Sequence, residues 1–452
     1  MRQPLLQAGA NELSYEIRGI VKKAHQLEQL GLPILWENIG DPIQKHNPVP
    51  DWMKQIVVEL LQENETYGYC HSKGVPATRA FLAAETNALG GVQITAEDIL
   101  FFNGLGDAIA KVYQYIRPTS RVIGPSPAYS THSSAEAAHA NHHPLTYRLD
   151  PDNRWYPDME DLYNKVRYNP NIVGILIINP DNPTGMVYPP EILRRMVRLA
   201  RDFNLFLISD EIYLHVTYNG VKPLALAQVI EEVPGIAMRG ISKELPWPGA
   251  RCGWMEFYNR KQDAEFNRLC ETLENAKMIE VCATKLPQLA LPRIKTDPRY
   301  QAYREEENQK IGRRSEIIRE LLSPVKSIKF NETYGAFYNT IVFREGVLRP
   351  GQEMKVAHPG AKVLLDEWLQ EDTLAHDKRF VYFLLAAKGV CVVPISSFCS
   401  ELQGFRVTLL ENDEPTLRET FRRIREGLEE YTGENMPTNW DFVPETTNGM
   451  AP

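Results

Sequence analysis

The strongest constraint on how this chain folds is the recurrence of short segments that are apolar at nearly every position. They are Ile99-Leu100-Phe101-Phe102, Arg121-Val122-Ile123, Ile175-Leu176-Ile177-Ile178, Leu205 to Ser209 and Ile236 to Met238. A strand with no polar face must be covered on both sides, and such strands belong to mostly parallel sheets whose crossovers are helices. Helix-patterned stretches lie between or before these strands, at 51–63, 76–89, 106–116 and 190–203. The expected class is therefore α/β, a helix-covered, mostly parallel sheet. The chain has 452 residues, enough for two or three domains.

The pattern changes further along. Charged helical stretches at 260–279 and 298–322 read as a connector leaving the sheet. Beyond Ile328, the strand-like pieces Ala336-Phe337-Tyr338, Val390 to Val393 and Phe405-Arg406-Val407 alternate with helices at 360–370 and 415–431, which predicts a smaller α+β domain. At the other end, an amphipathic helix over 12–31 stops at Gly31 and leads through Ile34-Leu35-Trp36 into the turn Gly40-Asp41-Pro42. The expected division is an arm and part of the small domain at 1–48, a large domain at 49–298, a small domain at 299–432 and a loose polar tail at 433–452.

Composition excludes several function classes. With 50 basic and 58 acidic residues the net charge is −8, and a pI near 5.8 offers no general attraction to nucleic acid. Six cysteines without a C-x-x-C pair give neither a disulfide framework nor a zinc site, and Cys70-His71 and His142-His143 lack further ligands at metal spacing. No apolar run approaches a membrane span, and the N-terminus has no secretory h-region. The expected setting is the cytoplasm.

The residues with chemistry cluster after strands, where open α/β sheets hold their ligands. Asp210 and Glu211 end one strand. Asn179-Pro180-Asp181-Asn182-Pro183-Thr184-Gly185 follows another, and by itself is a turn cluster. Phe102-Asn103-Gly104-Leu105-Gly106-Asp107 opens a helix whose leading N–H groups can seat an anion. Its G-x-G lacks the third glycine of a dinucleotide fingerprint, since Ile109 stands there. Lys243 follows the strand-like segment 236–238 in Gly240-Ile241-Ser242-Lys243, with Arg251 eight residues later. A lysine near a second cation and partly desolvated is a nucleophile and a base.

Together these motifs resemble the class I/II aminotransferases, the fold-type I enzymes that use pyridoxal 5′-phosphate (PLP). The resemblance runs from Tyr15 to about Leu428. Within the family, Tyr15-Glu16-Ile17-Arg18-Gly19, Gly68-Tyr69-Cys70-His71-Ser72-Lys73-Gly74 and Gly253-Trp254-Met255 are most similar to the alanine aminotransferases. The resemblance implies that Lys243, preceded by Ser242, binds the cofactor covalently and that Asp210 pairs with its pyridine nitrogen. Tyr213 and Asn182 would reach its phenolic oxygen. Arg251 and the backbone of Leu105 and Gly106 would hold its phosphate, and Tyr129 would stack on its ring. Tyr69 would reach the phosphate of a partner subunit, making the enzyme a homodimer with shared sites. For the substrate, Arg406, Asn182 and the backbone of Gly40 would bind the α-carboxylate, while Tyr15 and Arg18 would meet the side-chain end. Gly106 stands where relatives often carry Ser or Thr.

The implied activity is ping-pong transfer of an amino group between an L-amino acid, alanine or glutamate, and a 2-oxo acid. The alternatives are an aspartate or aromatic aminotransferase, a PLP-dependent C–S lyase on the same scaffold, and a non-enzymatic binding module. The intact Lys243 and the lack of a DNA-binding extension argue against the module.

Overall fold

The structure, a computed structural model, describes residues 5–13, 17–371 and 374–434. A short 3-10 helix (Ala8–Glu12) precedes α1 (Ile17–Glu28), which replaces the single helix expected over 12–31 and is followed by Gly31 in the left-handed region. β1 (Leu35–Trp36) and helices α2 (Asp51–Leu60) and α3 (Pro76–Ala88) come next. The alternating region then runs β2 (Ile99–Phe102), α4 (Leu105–Tyr115), β3 (Arg121–Ser126), α5 (Ser130–Ala140), β4 (Thr146–Asp150), β5 (Tyr156–Pro157), α6 (Met159–Tyr168), β6 (Ile172–Ile178), α7 (Pro190–Asp202), β7 (Phe206–Asp210), β8 (Gly235–Gly240) and β9 (Gly253–Tyr258).

These strands form one eight-stranded sheet in the order β2-β9-β8-β7-β6-β3-β4-β5. Strands β8, β7, β6, β3 and β4 are parallel, whereas β9 runs against both β8 and β2. Successive side chains point to opposite faces. Ile175, Ile177, Leu207 and Ala237 therefore enter one core with Leu193 and Met196 of α7. Leu176, Ile178, Ile208 and Met238 enter another with Ile109 and Val112 of α4. Both faces are dry, as continuous apolar strands require.

The chain continues through α8 (Ala264–Ile279), α9 (Lys285–Lys295) and α10 (Tyr300–Leu322). The stretch expected to be a connector divides in two. Phe266, Cys270 and Leu273 of α8 pack on the large sheet, so α8 belongs to its covering layer. Only α10 bridges, with Tyr300 in the first core and Ile317, Ile318 and Leu322 in a different one. The elements of this second region are β10 (Ile328–Phe330), β11 (Tyr338–Phe343), α11 (Pro359–Trp368), α12 (His376–Lys388), β12 (Val390–Cys391), β13 (Val393–Pro394), β14 (Gly404–Thr408) and α13 (Glu414–Thr432), all but β13 contributing side chains to that core. Its sheet has the antiparallel order β10-β11-β14-β13, while β12 pairs in parallel with β1. Ala336 and Phe337, expected in a strand, precede it, and Ala336 has φ of 53°. Ile20, Ala24 and Leu27 of α1 join Phe380, Phe421 and Ile424, so early and late parts of the chain share one core. The loose tail expected from 433 lies outside the described residues from 435 onward.

Candidate active site

Strands β2, β3, β6, β7 and β8 all run the same way, so their carboxyl ends lie along one edge of the sheet. β9 runs oppositely, which puts its start, just after Arg251, at that same edge. This topology collects Gly104 to Gly106, Tyr129, Asn182, Asp210, Tyr213, Ser242, Lys243 and Arg251 there.

Asp210, the last residue of β7, is 3% exposed. Its Oδ1 accepts the Ile212 N–H at 3.1 Å and its Oδ2 lies 3.0 Å from His132 Nε2. His132 was not anticipated from the sequence. It sits three residues after Tyr129, within one helical turn, and its ring meets that of Tyr129 edge-on with centroids 6.3 Å apart. The His132 Nδ1 is buried without a hydrogen-bond partner among the described residues. The neighbouring carboxylate has a different job: Glu211 turns away into Arg239 Nε at 2.9 Å, and burial pushes its carboxyl above the usual range.

The Asn-Pro-Asp-Asn-Pro-Thr-Gly segment is a self-bonded turn. Asp181 Oδ2 accepts from the backbone and hydroxyl of Thr184, and Asn179 Oδ1 accepts the Tyr188 N–H at 2.8 Å. Burial pushes Asp181 up to about 7, the Thr184 bonds pulling the other way. The turn leaves Asn182, 5% exposed, to accept from Arg406 Nη1 at 3.3 Å.

Arg406, on β14, is 3% exposed yet forms no ion pair among the described residues. Its Nη2 donates to the Asn38 carbonyl at 3.0 Å, its Nε is buried without a partner among the described residues, and its guanidinium lies 4.2 Å from the Tyr338 ring centroid and 5.0 Å from that of Phe398. A buried guanidinium with donors to spare is costly unless an anion arrives to take them. Lys243 reaches the same loop from the other side, its Nζ donating to the Gly40 carbonyl at 2.8 Å, 5.5 Å from the Phe337 ring. Gly40 has no alternative, since a Cβ there would collide with the Tyr338 hydroxyl. Tyr213 donates to that hydroxyl at 3.2 Å, and burial, reinforced by Tyr338, raises its phenol well above the ordinary value. Tyr213 therefore stays protonated and able to donate.

The rim is more open. Leu105 and Gly106 are the first two residues of α4, whose leading N–H groups a helix leaves unpaired. Gly104 has φ of 84°, and a Cβ on it would meet the Arg251 guanidinium, so cation and helix start lie against one another. Arg251 is exposed and Ser242 half-buried. Tyr69 is 83% exposed. Arg18, in the first turn of α1, is exposed, and Tyr15 falls outside the described residues.

Residues 35–424 match the family model for aminotransferase class I and II. An uncharacterized aminotransferase of Methanocaldococcus jannaschii is 50% identical over 431 residues, covering 95% of this chain and 99% of that protein. The glutamate-pyruvate aminotransferase of Escherichia coli is 32% identical over 280 residues, covering 61% of this chain and 67% of that one. Among solved structures, an alanine aminotransferase from Pyrococcus furiosus superimposes with a TM-score of 0.82 at 26% identity, covering 94% of this chain and 99% of that one. With its fold-type I architecture, this chain is an enzyme and belongs to the class I and II aminotransferase family.

Proposed function

We propose that the chain is a PLP-dependent aminotransferase exchanging the amino group between alanine or glutamate and the corresponding 2-oxo acids. One observation carries the reading. Lys243 and Arg406 converge on a single loop, the lysine at the Gly40 carbonyl and the arginine at the Asn38 carbonyl. A guanidinium that can bind a carboxylate, close to an amine that can hold a carbonyl cofactor, is the pairing that processing an α-amino acid requires. The residues also fit the cofactor. The buried Asp210 suits a cationic ring nitrogen, and the α4 start with Arg251 suits a phosphate.

PLP supplies the electron sink for the pair left when the α-proton departs. Lys243 would hold it covalently, then take and return that proton. Asp210 would keep the ring nitrogen protonated, with His132 fixing the carboxylate's orientation. Tyr213 and Asn182 would donate to the phenolic oxygen, and Tyr129 would cover the ring. Arg406 would bind the α-carboxylate, with Tyr15 and Arg18 proposed at the side-chain end.

The site is proposed to be completed in a homodimer. Tyr69 is exposed, and its neighbour Cys70 contacts the Ala283 carbonyl at 3.8 Å, beside the exposed Ile279 and Val281. That apolar surface is suited to a second copy. Mixing inactive Lys243→Ala chains with Tyr69→Phe chains should yield some heterodimers carrying one fully equipped site; full activity in a sedimenting monomer would refute sharing. The proposed setting is the cytoplasm, in keeping with free thiols at all six cysteines. The division at 1–48, 49–298 and 299–432 remains the proposed domain plan.

The substrate assay uses the PLP-loaded enzyme with alanine and 2-oxoglutarate and should yield pyruvate and glutamate. Pyruvate, ammonia and a free thiol formed from an S-substituted cysteine without an acceptor would instead make it a C–S lyase. Aspartate or an aromatic amino acid outpacing alanine about tenfold in kcat/KM would remove the alanine assignment.

A further inference from the structure

Tyr338 opens β11 and touches three of the residues just discussed. On the antiparallel pair β11·β14, Tyr338 faces Thr408 and Thr340 faces Arg406, so Tyr338 and Arg406 are diagonal neighbours on one sheet face. The Arg406 guanidinium stands over the Tyr338 ring at 4.2 Å, a geometry in which the ring quadrupole attracts and orients the cation. The Tyr338 hydroxyl lies 3.2 Å from that of Tyr213 and against the Gly40 backbone. Tyr338 itself is 3% exposed, so water does not compete for these contacts.

We infer that Tyr338 is a positioning residue that joins the carboxylate-binding arginine to the tyrosine hydroxyl at the cofactor ring. The inference rests on the PLP aminotransferase reading above. A hydroxyl donates once and accepts twice. When Tyr213 turns its proton toward a ligand oxygen, Tyr338 donates into Tyr213 and makes it a stronger donor, as successive hydrogen bonds polarise one another. The ring meanwhile holds the guanidinium plane that receives the α-carboxylate. One side chain thus has two separable parts, a hydroxyl acting on the cofactor end and a ring acting on the substrate end.

The test compares Tyr338→Phe and Tyr338→Leu on the PLP-loaded enzyme, with thermal unfolding confirming that each variant folds. Tyr338→Phe keeps the ring, so KM for alanine should stay within about twofold. It should move the pH midpoint of the bound cofactor's absorbance upward by about 0.5 to 1 unit, because weaker donation leaves the phenolic oxygen more basic. Tyr338→Leu should show the same midpoint shift and raise KM about fivefold or more. Where Leu fails to fold, Tyr338→Met replaces it, with the same expected midpoint shift and rise in KM. An unmoved midpoint in Tyr338→Phe overturns the inference even when the wild type binds PLP and transaminates. A wild type that takes up no cofactor overturns the PLP reading itself, and the inference with it.

Discussion

The floor and the rim of this site are built on different principles. On the floor, Asp210, Asn182, Tyr213 and Arg406 are each at most 5% exposed and already hold one another or a neighbouring side chain, His132 for Asp210 and Tyr338 for Tyr213. On the rim, Arg251 and Gly106 are exposed and Tyr69 is 83% exposed. The floor's geometry is settled when the chain folds, because strand ends and cross-sheet contacts fix each side chain. On the proposed reading, the rim acquires its geometry from what binds there, a phosphate or a second subunit. Preorganised dipoles aimed at developing charge account for much of an enzyme's power, so floor substitutions should reduce catalysis and rim substitutions should reduce affinity.

The largest expected effect is at Asp210. Asp210→Asn keeps the hydrogen bond to Ile212 but not the charge, and should lower kcat by about a hundred- to a thousandfold with the fold intact. Near-normal turnover with PLP bound would give the charge to another residue and break the contrast. Next is Arg406→Lys, which keeps a charge but loses the planar fork over Tyr338. It should cost about 1.5–3 kcal/mol, or roughly 10- to 150-fold in kcat/KM, measured with alanine and glutamate alike.

Rim changes should be milder and reversible by mass action. Arg251→Ala should weaken PLP binding about tenfold, as expected for one exposed charge-assisted contact, while excess cofactor restores kcat. Activity that stays low at saturating PLP would move Arg251 to the floor in function. A further prediction concerns pH and stability rather than turnover. Asp181 lies under the floor with its carboxyl pushed by burial to about 7 from an ordinary 3.8. Its folded form binds a proton that the unfolded form has released, so it makes stability fall as pH rises from about 4 to about 7 and then level off. Burial lowers His215 to about 4, and that residue acts in the opposite sense, adding stability as pH climbs through the same acid range toward 6.5. The gap in Tm between wild type and Asp181→Asn should therefore shrink or reverse from pH 4 to 7. Parallel Tm profiles would contradict the buried-acid assignment.

What the sequence could reveal follows the same division. Strands β2, β6 and β7 are legible because two dry faces demand apolar residues throughout. β9 is not, since it buries Glu256 completely against Arg239, Thr86, Trp254 and Tyr258, and a buried polar network looks like a surface in one dimension. Helix α12 hides for the converse reason: Phe380 to Ala386 are buried all round, which erases the helical period. Helix α5 buries His132, Ser133 and Glu136 instead of an apolar stripe. In the site, residues inside local motifs could be anticipated. His132 and Tyr338 could not, because their partners lie 78 and 125 residues away in the chain and only folding brings them together.

The most direct measurement is to load the purified enzyme with PLP, trap the covalent bond with borohydride, and map the modified peptide by mass spectrometry. The expected result is one cofactor per chain on Lys243, the lysine whose Nζ meets the Gly40 carbonyl beside the Arg406 loop. Lys243→Ala should fold, take no label and show no turnover. Cofactor trapped on a different lysine, or a Lys243→Ala chain that still labels and transaminates, would contradict the assignment of this strand edge as the catalytic centre.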